Sequence, residues 1–453
     1  MLRWRFPKRI VTVIVSGEGS MPTGSPSSRL GAGTGHTSNY RVPMPSIARL
    51  WSPVHARDAD ASLRLRVRSP RGGAGAGGQT GTSPPVVLVI AGTRPECIKL
   101  APVIRRLEAH DRLRVVLVNS GQHSIAVRRT FAEFDIRCDV ELAELPKFHS
   151  MGASHDHLRV ELRAAVDRIK PAMVIVQGDT LSAYTGARAA HDASIPVAHV
   201  EAGLRTDTIS DPFPEEWFRR RIARCASLHF APSASATRNL LAEGVDARTV
   251  HRVGNTGIDS LRALLAELRS ANPGVSSTRD TVLVTLHRRE NHDQNAGIVC
   301  DALIALTAAR PDLRVLFPVH PNPRVSATIR RRLETRPAFD LVAPMSYRDF
   351  VLSAASAALI ISDSGGVQEE APHLGTPLLV PRCNTERPES VATGWVQLVP
   401  ADRTSILDAS LAKLAQPRAG AVPIDEHAPF GDGNAAKKIV NIVEHAVLER
   451  VSA

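Results

Sequence analysis

Three carboxylates and a histidine stand at places in this 453-residue sequence where side chains do chemistry rather than packing. Asp179 lies near the end of the run MVIVQGDT, Glu201 follows IPVAHV, Glu215 follows the turn Pro212-Phe213-Pro214, and His287 ends TVLVTLH. Carboxylates brought close together and partly buried push one another's proton affinities upward, leaving one donor and one acceptor near neutral pH. Metal binding is the competing use of such a set, but neither HExxH nor a DxDxDG loop occurs. GxSxG is absent too, which removes the usual setting of a serine nucleophile.

A second group suits phosphate. In SDSGGVQEEAP a short apolar run leads through Ser364, Gly365 and Gly366 into a helix. The glycines admit close backbone approach, and the helix N-terminus offers free N–H groups and partial positive charge. Asp363 or Ser364 could equally serve only as a helix cap. Glu370, about one turn in, is placed to accept hydrogen bonds from a ribose. Arg94, in GTRPE, offers a planar guanidinium to a phosphate, or a salt bridge to Glu96. There is no Walker A sequence, and no strand runs into a GxGxxG turn, so neither ATP hydrolysis nor NAD binding is supported.

The elements that must position these groups are legible as apolar runs alternating with helical spacing. VVLVIAG, RVVLVN, MVIVQ, IPVAHV and LHFA form one series, and TVLVT, LRVLFPV, AALIIS and TPLLVP form another. Continuous apolar strands alternating with helices imply parallel sheets covered on both faces. We therefore expect an α/β protein with two doubly wound domains, 85–255 and 256–430, parted near the breaker SANPG. A last segment, 431–453, carries a helix expected to pack back on the N-terminal domain. In such sheets ligands bind beyond the C-terminal strand ends. Arg94, Gln122, His123, Asp179, Glu201, His287, His320, Ser364 and Arg387 all fall there, facing one interdomain cleft.

The net charge of +11 does not mark a nucleic-acid binder. Residues 1–84 hold 12 Lys+Arg against 3 Asp+Glu, leaving 44 against 42 for the rest. That segment is rich in Gly, Ser, Pro and Arg and is expected to be a disordered basic extension without a catalytic role. Its one apolar run, Ile10 to Val15, is short for a signal peptide. The five cysteines form no CxxC pair and read as reduced thiols of a cytoplasmic protein. No apolar run approaches the roughly 18 residues of a membrane span.

GTRPECIKLAPVI, VQGDT, PVAHVEAGLRT, FPEE, VGNTGID, TLHRREN, FPVHPNP, SDSGGVQEEAPHLGTPLLV, TERPE and FGDGNA occur in the order and approximate spacing of the UDP-N-acetylglucosamine 2-epimerase family, which the chain resembles over residues 86–450. The resemblance implies two Rossmann-like domains of the glycosyltransferase-B type with the active site between them. It implies interconversion of UDP-GlcNAc and UDP-ManNAc, by anti elimination of UDP through a 2-acetamidoglucal and re-addition, without metal or redox cofactor. Asp179, Glu201 and Glu215 match the family's acid–base carboxylates, and His287 the residue beside the leaving diphosphate. Arg94, Arg219, Ser364, Gly365 and Gly366 match diphosphate contacts, Glu370 the ribose contact and Phe350 the uracil contact. His320 and Arg387 join the substrate-binding set. The partners expected are a UDP-sugar and a second copy in a homodimer, with no nucleic acid and no membrane span.

Two positions depart from the family pattern. Phe218 stands where members usually have Asn, placing an apolar side chain next to the expected sugar site. Bacterial non-hydrolysing members often carry Gln-His-x-Gln in an activating UDP-GlcNAc site; this chain has Gln122 and His123 but Ile125. Epimerisation of a diacetamido-uronate UDP-sugar, hydrolysis to ManNAc plus UDP, a glycosyltransferase-B transferase and a non-catalytic UDP-sugar sensor are the alternative readings.

Overall fold

The computed structural model describes residues 83–452 apart from 149, 207, 210–211, 272–279, 287–294, 320–321, 418–419 and 426–427. Two parallel sheets organise them. The first is built from β1 (Val86–Ala91), β2 (Arg114–Asn119), β3 (Val140–Glu141), β4 (Met173–Gln177), β5 (Val197–Val200), β6 (Leu228–Ala231) and β7 (Val250–Arg252), in the order β3-β2-β1-β4-β5-β6-β7. Its helices are α1 (Arg94–Glu108), α2 (Ser124–Glu133), α3 (Met151–Ile169), α4 (Leu181–Asp192), α5 (Glu215–Ala223) and α6 (Ala234–Ala242). After α7 (Thr256–Ala271) the second sheet follows: β8 (Thr281–Thr285), β9 (Arg314–Pro318), β10 (Phe339–Val342), β11 (Leu359–Ser362), β12 (Leu378–Pro381) and β13 (Val396–Val399), in the order β10-β9-β8-β11-β12-β13. Its helices are α8 (Asn295–Ala309), α9 (Pro323–Leu333), α10 (Tyr347–Ser356), α11 (Gly365–Leu374), α12 (Pro388–Ala392) and α13 (Arg403–Ala415), before the final α14 (Ala435–Ser452).

Both faces of each sheet are buried, which explains the continuous apolar runs. In β1, Val87 and Val89 enter one core, while Leu88 and Ile90 enter the core on the other face. In β8, Val282 and Val284 are likewise divided from Leu283. Alternation survives in the side-chain directions but not in the residue types. Each strand order reverses once, between β1 and β4 and between β8 and β11. Loops part at such a reversal and leave a crevice beyond the strand ends.

The chain crosses between the sheets twice. The first crossing leads from β7 into α7, where Ser260 Oγ donates to the Ile98 carbonyl of α1 (2.6 Å). The second leads into α14, whose Ile439, Val440, Val443 and Val447 join the core around β1 and α1. Asp259 of α7 accepts from the backbone N–H groups of Ala435 (3.1 Å) and Ala436 (2.9 Å), capping α14. The two crossings run side by side. Asn255 N donates to Phe430 O at 2.7 Å. Gly254 (φ +96°) and Gly431 (φ +95°) touch so closely that a β-carbon on Gly431 would meet Gly254 Cα at 2.9 Å. Among the described residues no helix is long and apolar enough to cross a membrane.

Candidate active site

Glu201 is the first residue beyond β5, and its backbone is left-handed, with φ at +65°. For a residue other than glycine this conformation costs about 1–2 kcal/mol, a strain that persists where surroundings over-determine it. The surroundings here are polar. The carboxylate accepts from Lys99 Nζ of α1, Gln177 Nε2 (3.0 Å) and Asn255 Nδ2 (3.3 Å). Arg387, just before α12 in the second domain, stands 3.5 Å away.

Lys99 and Arg387 also share a second carboxylate, Glu369 of α11, at 3.2 and 2.6 Å. Burial and this sharing set the two acids apart. Burial raises the proton affinity of Glu201 in spite of Lys99. Burial pushes Glu369 the same way, but the charges of Arg387 and then Lys99 outweigh it, so Glu369 is held below its ordinary value.

Asp179, beyond β4, has a different keeper. Arg219 of α5 donates to it from Nε at 2.8 Å. Burial opposes ionisation of Asp179, yet the Arg219 charge and hydrogen bond prevail and lower its pKa. Arg219 is itself held by Glu216 at 3.1 Å and faces Glu386 at 3.8 Å. Glu216 is fully buried, accepts from Thr206 N (3.2 Å) and pairs with Arg220 (2.8 Å). It fixes arginines and a loop, while Glu215, half-buried at the first position of α5, opens the helix beside it.

On the second domain, Ser364 caps α11 through its backbone without a side-chain bond, and Gly365 and Gly366 are its first residues. The Arg387 guanidinium lies directly over Gly365. Glu370 is buried and accepts from the Tyr347 hydroxyl at 2.8 Å; burial pushes its carboxyl up to about 7. Phe350 is partly buried beside this core, on the same helix as Tyr347. Arg94 Nη2 reaches across to the Met345 carbonyl (2.7 Å), and Glu133 accepts from Tyr347 N (2.6 Å). Residues 345–347, which lead into α10, are thus gripped from the first domain at two points.

Strand-end reasoning points to Asp179, Glu201 and Arg387, which the fold brings together with Gly365 of the glycine loop and with Arg219, a residue only the family resemblance put forward. It misses Lys99, Glu369 and Glu386, which lie within the stretches ECIKLAP, VQEEAP and TERPE but read locally as ordinary charges. His287 and His320 lie outside the described residues. Gln122 bonds Ser182 through Oε1, at 3.0 Å to N and 2.6 Å to Oγ, and Ile125 is exposed.

One expectation is corrected. Phe218 does not line the cleft; it is 2% exposed in the core, stacked on Tyr184 with ring centroids 5.2 Å apart. Helical spacing puts it on one face with Ile222, which is also buried in that core. Its apolar nature answers to packing, and the argument for a different sugar drawn from it falls away.

Comparisons with known proteins bear on the family and the fold. Residues 105–444 match the family model described as UDP-N-acetylglucosamine 2-epimerase. The UDP-N-acetylglucosamine 2-epimerase of Neisseria meningitidis serogroup A is 35% identical over 363 residues, covering 78% of this chain and 98% of that protein. A crystal structure of the N. meningitidis UDP-GlcNAc 2-epimerase bound to UDP-GlcNAc superposes with a TM-score of 0.73 at 34% identity, covering 79% of this chain and 99% of that one. The Methanocaldococcus jannaschii enzyme, in complex with UDP-GlcNAc and UDP, gives 0.70 at 31% identity, covering 80% and 99%. The two parallel α/β domains thus have the glycosyltransferase-B-like arrangement, and the chain belongs to the UDP-N-acetylglucosamine 2-epimerase family.

Proposed function

We propose that the cleft interconverts UDP-GlcNAc and UDP-ManNAc without net hydrolysis. Glu201 takes the C2 proton as UDP departs from C1, leaving a 2-acetamidoglucal. UDP then returns as a proton is delivered to the opposite face of C2. The observation that carries this reading is the environment of Glu201: buried, left-handed, shared between Lys99 and Arg387, with its proton affinity raised. The raised proton affinity of Glu201 suits it to take and return a proton, whereas the Arg219 charge holds Asp179 toward its ionised form. In this reading Asp179 and Glu215 complete the acid–base set and His287 meets the leaving diphosphate. The α11 N-terminus (Ser364, Gly365, Gly366), Arg94, Arg219, His320 and Arg387 hold the phosphates, with Glu370 on the ribose and Phe350 on the uracil.

Incubation with UDP-GlcNAc in D2O, followed by NMR, tests the proposal. UDP-ManNAc should appear with deuterium at C2. Free ManNAc plus UDP as sole products would make the enzyme hydrolysing, and label transfer to an acceptor without C2 exchange would make it a transferase. Glu201→Gln should bind UDP normally and lose C2 exchange; retained exchange removes Glu201 from the chemistry. Glu370→Ala should weaken UDP binding, and unchanged affinity overturns the ribose assignment. A homodimer working in the cytoplasm completes the reading. Its five free thiols suit a reducing compartment, and light scattering at twice the chain mass checks the assembly.

A further inference from the structure

Glu386 belongs to neither the acid–base set nor the phosphate contacts, yet it sits between the two arginines that hold the acid–base carboxylates. Its side chain is completely buried. Oε1 faces Arg219 Nη2 at 3.8 Å, and Arg219 holds Asp179. Oε2 lies 3.5 Å from Arg387 Nη1, and Arg387 reaches Glu201. Arg382 Nη1 at 3.3 Å closes the group. Asp179 and Arg219 come from the first domain and Glu386 from the second, so this chain of charges spans both domains.

We propose that Glu386 is a positioning residue that couples two of the acid–base carboxylates, Asp179 and Glu201, through their arginines, drawing part of each guanidinium's field away from them. The inference rests on the reading of those two residues as members of the acid–base set.

A buried charge facing three guanidiniums is a strong coupling element, because removing one partner leaves the others uncompensated. The charged groups around each member are defined among the described residues. Asp179 faces Arg219, Arg387 and Glu386. Glu201 faces Lys99, Glu369 and Arg387. Arg219 also faces Glu216. With Glu386 neutral, Arg219 and Arg387 act on Asp179 and Glu201 undivided and favour their ionised forms more strongly. Asp179 feels Glu386 directly as well, in the opposite sense to Arg219.

The test is the pH profile of kcat for Glu386→Gln and Glu386→Asp, with UDP affinity and thermal unfolding measured on the same samples. Glu386→Gln is expected to leave UDP affinity within about threefold, lower kcat on the order of tenfold to a hundredfold, and move the acidic limb of the profile to lower pH. Glu386→Asp keeps the charge on a shorter arm and should fall between wild type and Gln in both rate and limb. An acidic limb unmoved in the folded variants overturns the proposal, even if kcat falls, since a merely structural loss lowers the rate without moving it. Should Glu386→Gln not fold, the Asp variant decides by the same limb. Absence of C2 exchange in the wild type, or its retention in Glu201→Gln, would instead defeat the reading on which the inference rests.

Discussion

The guanidinium of Arg387 takes the space that a side chain at position 365 would need: a β-carbon on Gly365 would stand 2.5 Å from its Cζ and Nη1. A residue that looks like a phosphate-loop glycine is thus also the seat of an arginine. Gly366 is different, since its β-carbon would meet only Ser364 Oγ, at 4.0 Å.

The two glycines should therefore fail in different ways. Gly365→Ala has to displace Arg387 from Glu369 and Glu201, and should lower stability without ligand by about 2–3 kcal/mol. Gly366→Ala should leave stability within about 0.5 kcal/mol of wild type while weakening UDP binding, because only the approaching ligand meets the new methyl group. Thermal unfolding and calorimetric titration with UDP separate them; equal stability of the two variants would contradict the packing described for Arg387.

Lys99→Met should be costly at neutral pH and less so in acid. The substitution leaves Glu201 and Glu369 with Arg387 as the cation they still share, a loss of about 3–5 kcal/mol for a broken buried pair. Without Lys99, which draws down the proton affinity of Glu201, that carboxyl takes a proton at higher pH and relieves the imbalance. Denaturant unfolding at pH 5 and pH 8 should give a smaller deficit at pH 5. A deficit independent of pH would mean that Lys99 matters for its packing rather than its charge.

Asp259 gives a pH dependence of the opposite kind from a normal salt-bridged acid. Burial pushes its carboxyl up to about 6, although the N–H groups of Ala436 and Ala435 pull the other way. The folded value lies above that of an unfolded aspartate, about 3.9. As pH rises, the unfolded chain loses this proton first, so stability falls between about pH 4 and 6, by on the order of 3 kcal/mol, and is flat beyond. Asp259→Asn keeps an acceptor for the helix and removes the titration. Its melting temperature, followed from pH 4 to 7, should lack this step.

The strands that anchor the site were the readable part of this fold because they are buried on both faces, as the fully buried β4 illustrates. Strands β10 and β13 carry the exposed Asp340 and Gln397 at sheet margins, and β3 is two residues long. None makes a continuous apolar run. Asp179 and Glu201 were legible from position alone, as polar residues just past such strands. Lys99 was not, because its burial is imposed by Glu369 and Arg387 from a domain more than 200 residues further along the chain. Local sequence shows a lysine on a helix and nothing of what closes over it. Phe218 shows the converse error. Comparing one position with a family habit suggested a cleft residue, whereas its spacing to Ile222 already marked a core face.

The contact between Gly254 and Gly431 has a mechanical consequence. A lobe on a single tether can swing and twist freely, but two tethers fastened side by side suppress twist and leave chiefly rotation about the line that joins them. Any widening of the cleft is then a one-dimensional, book-like movement whose spine is this pair of glycines. Lys99 and Arg219 on one page then meet Glu369 and Glu386 on the other in the same register at every closing.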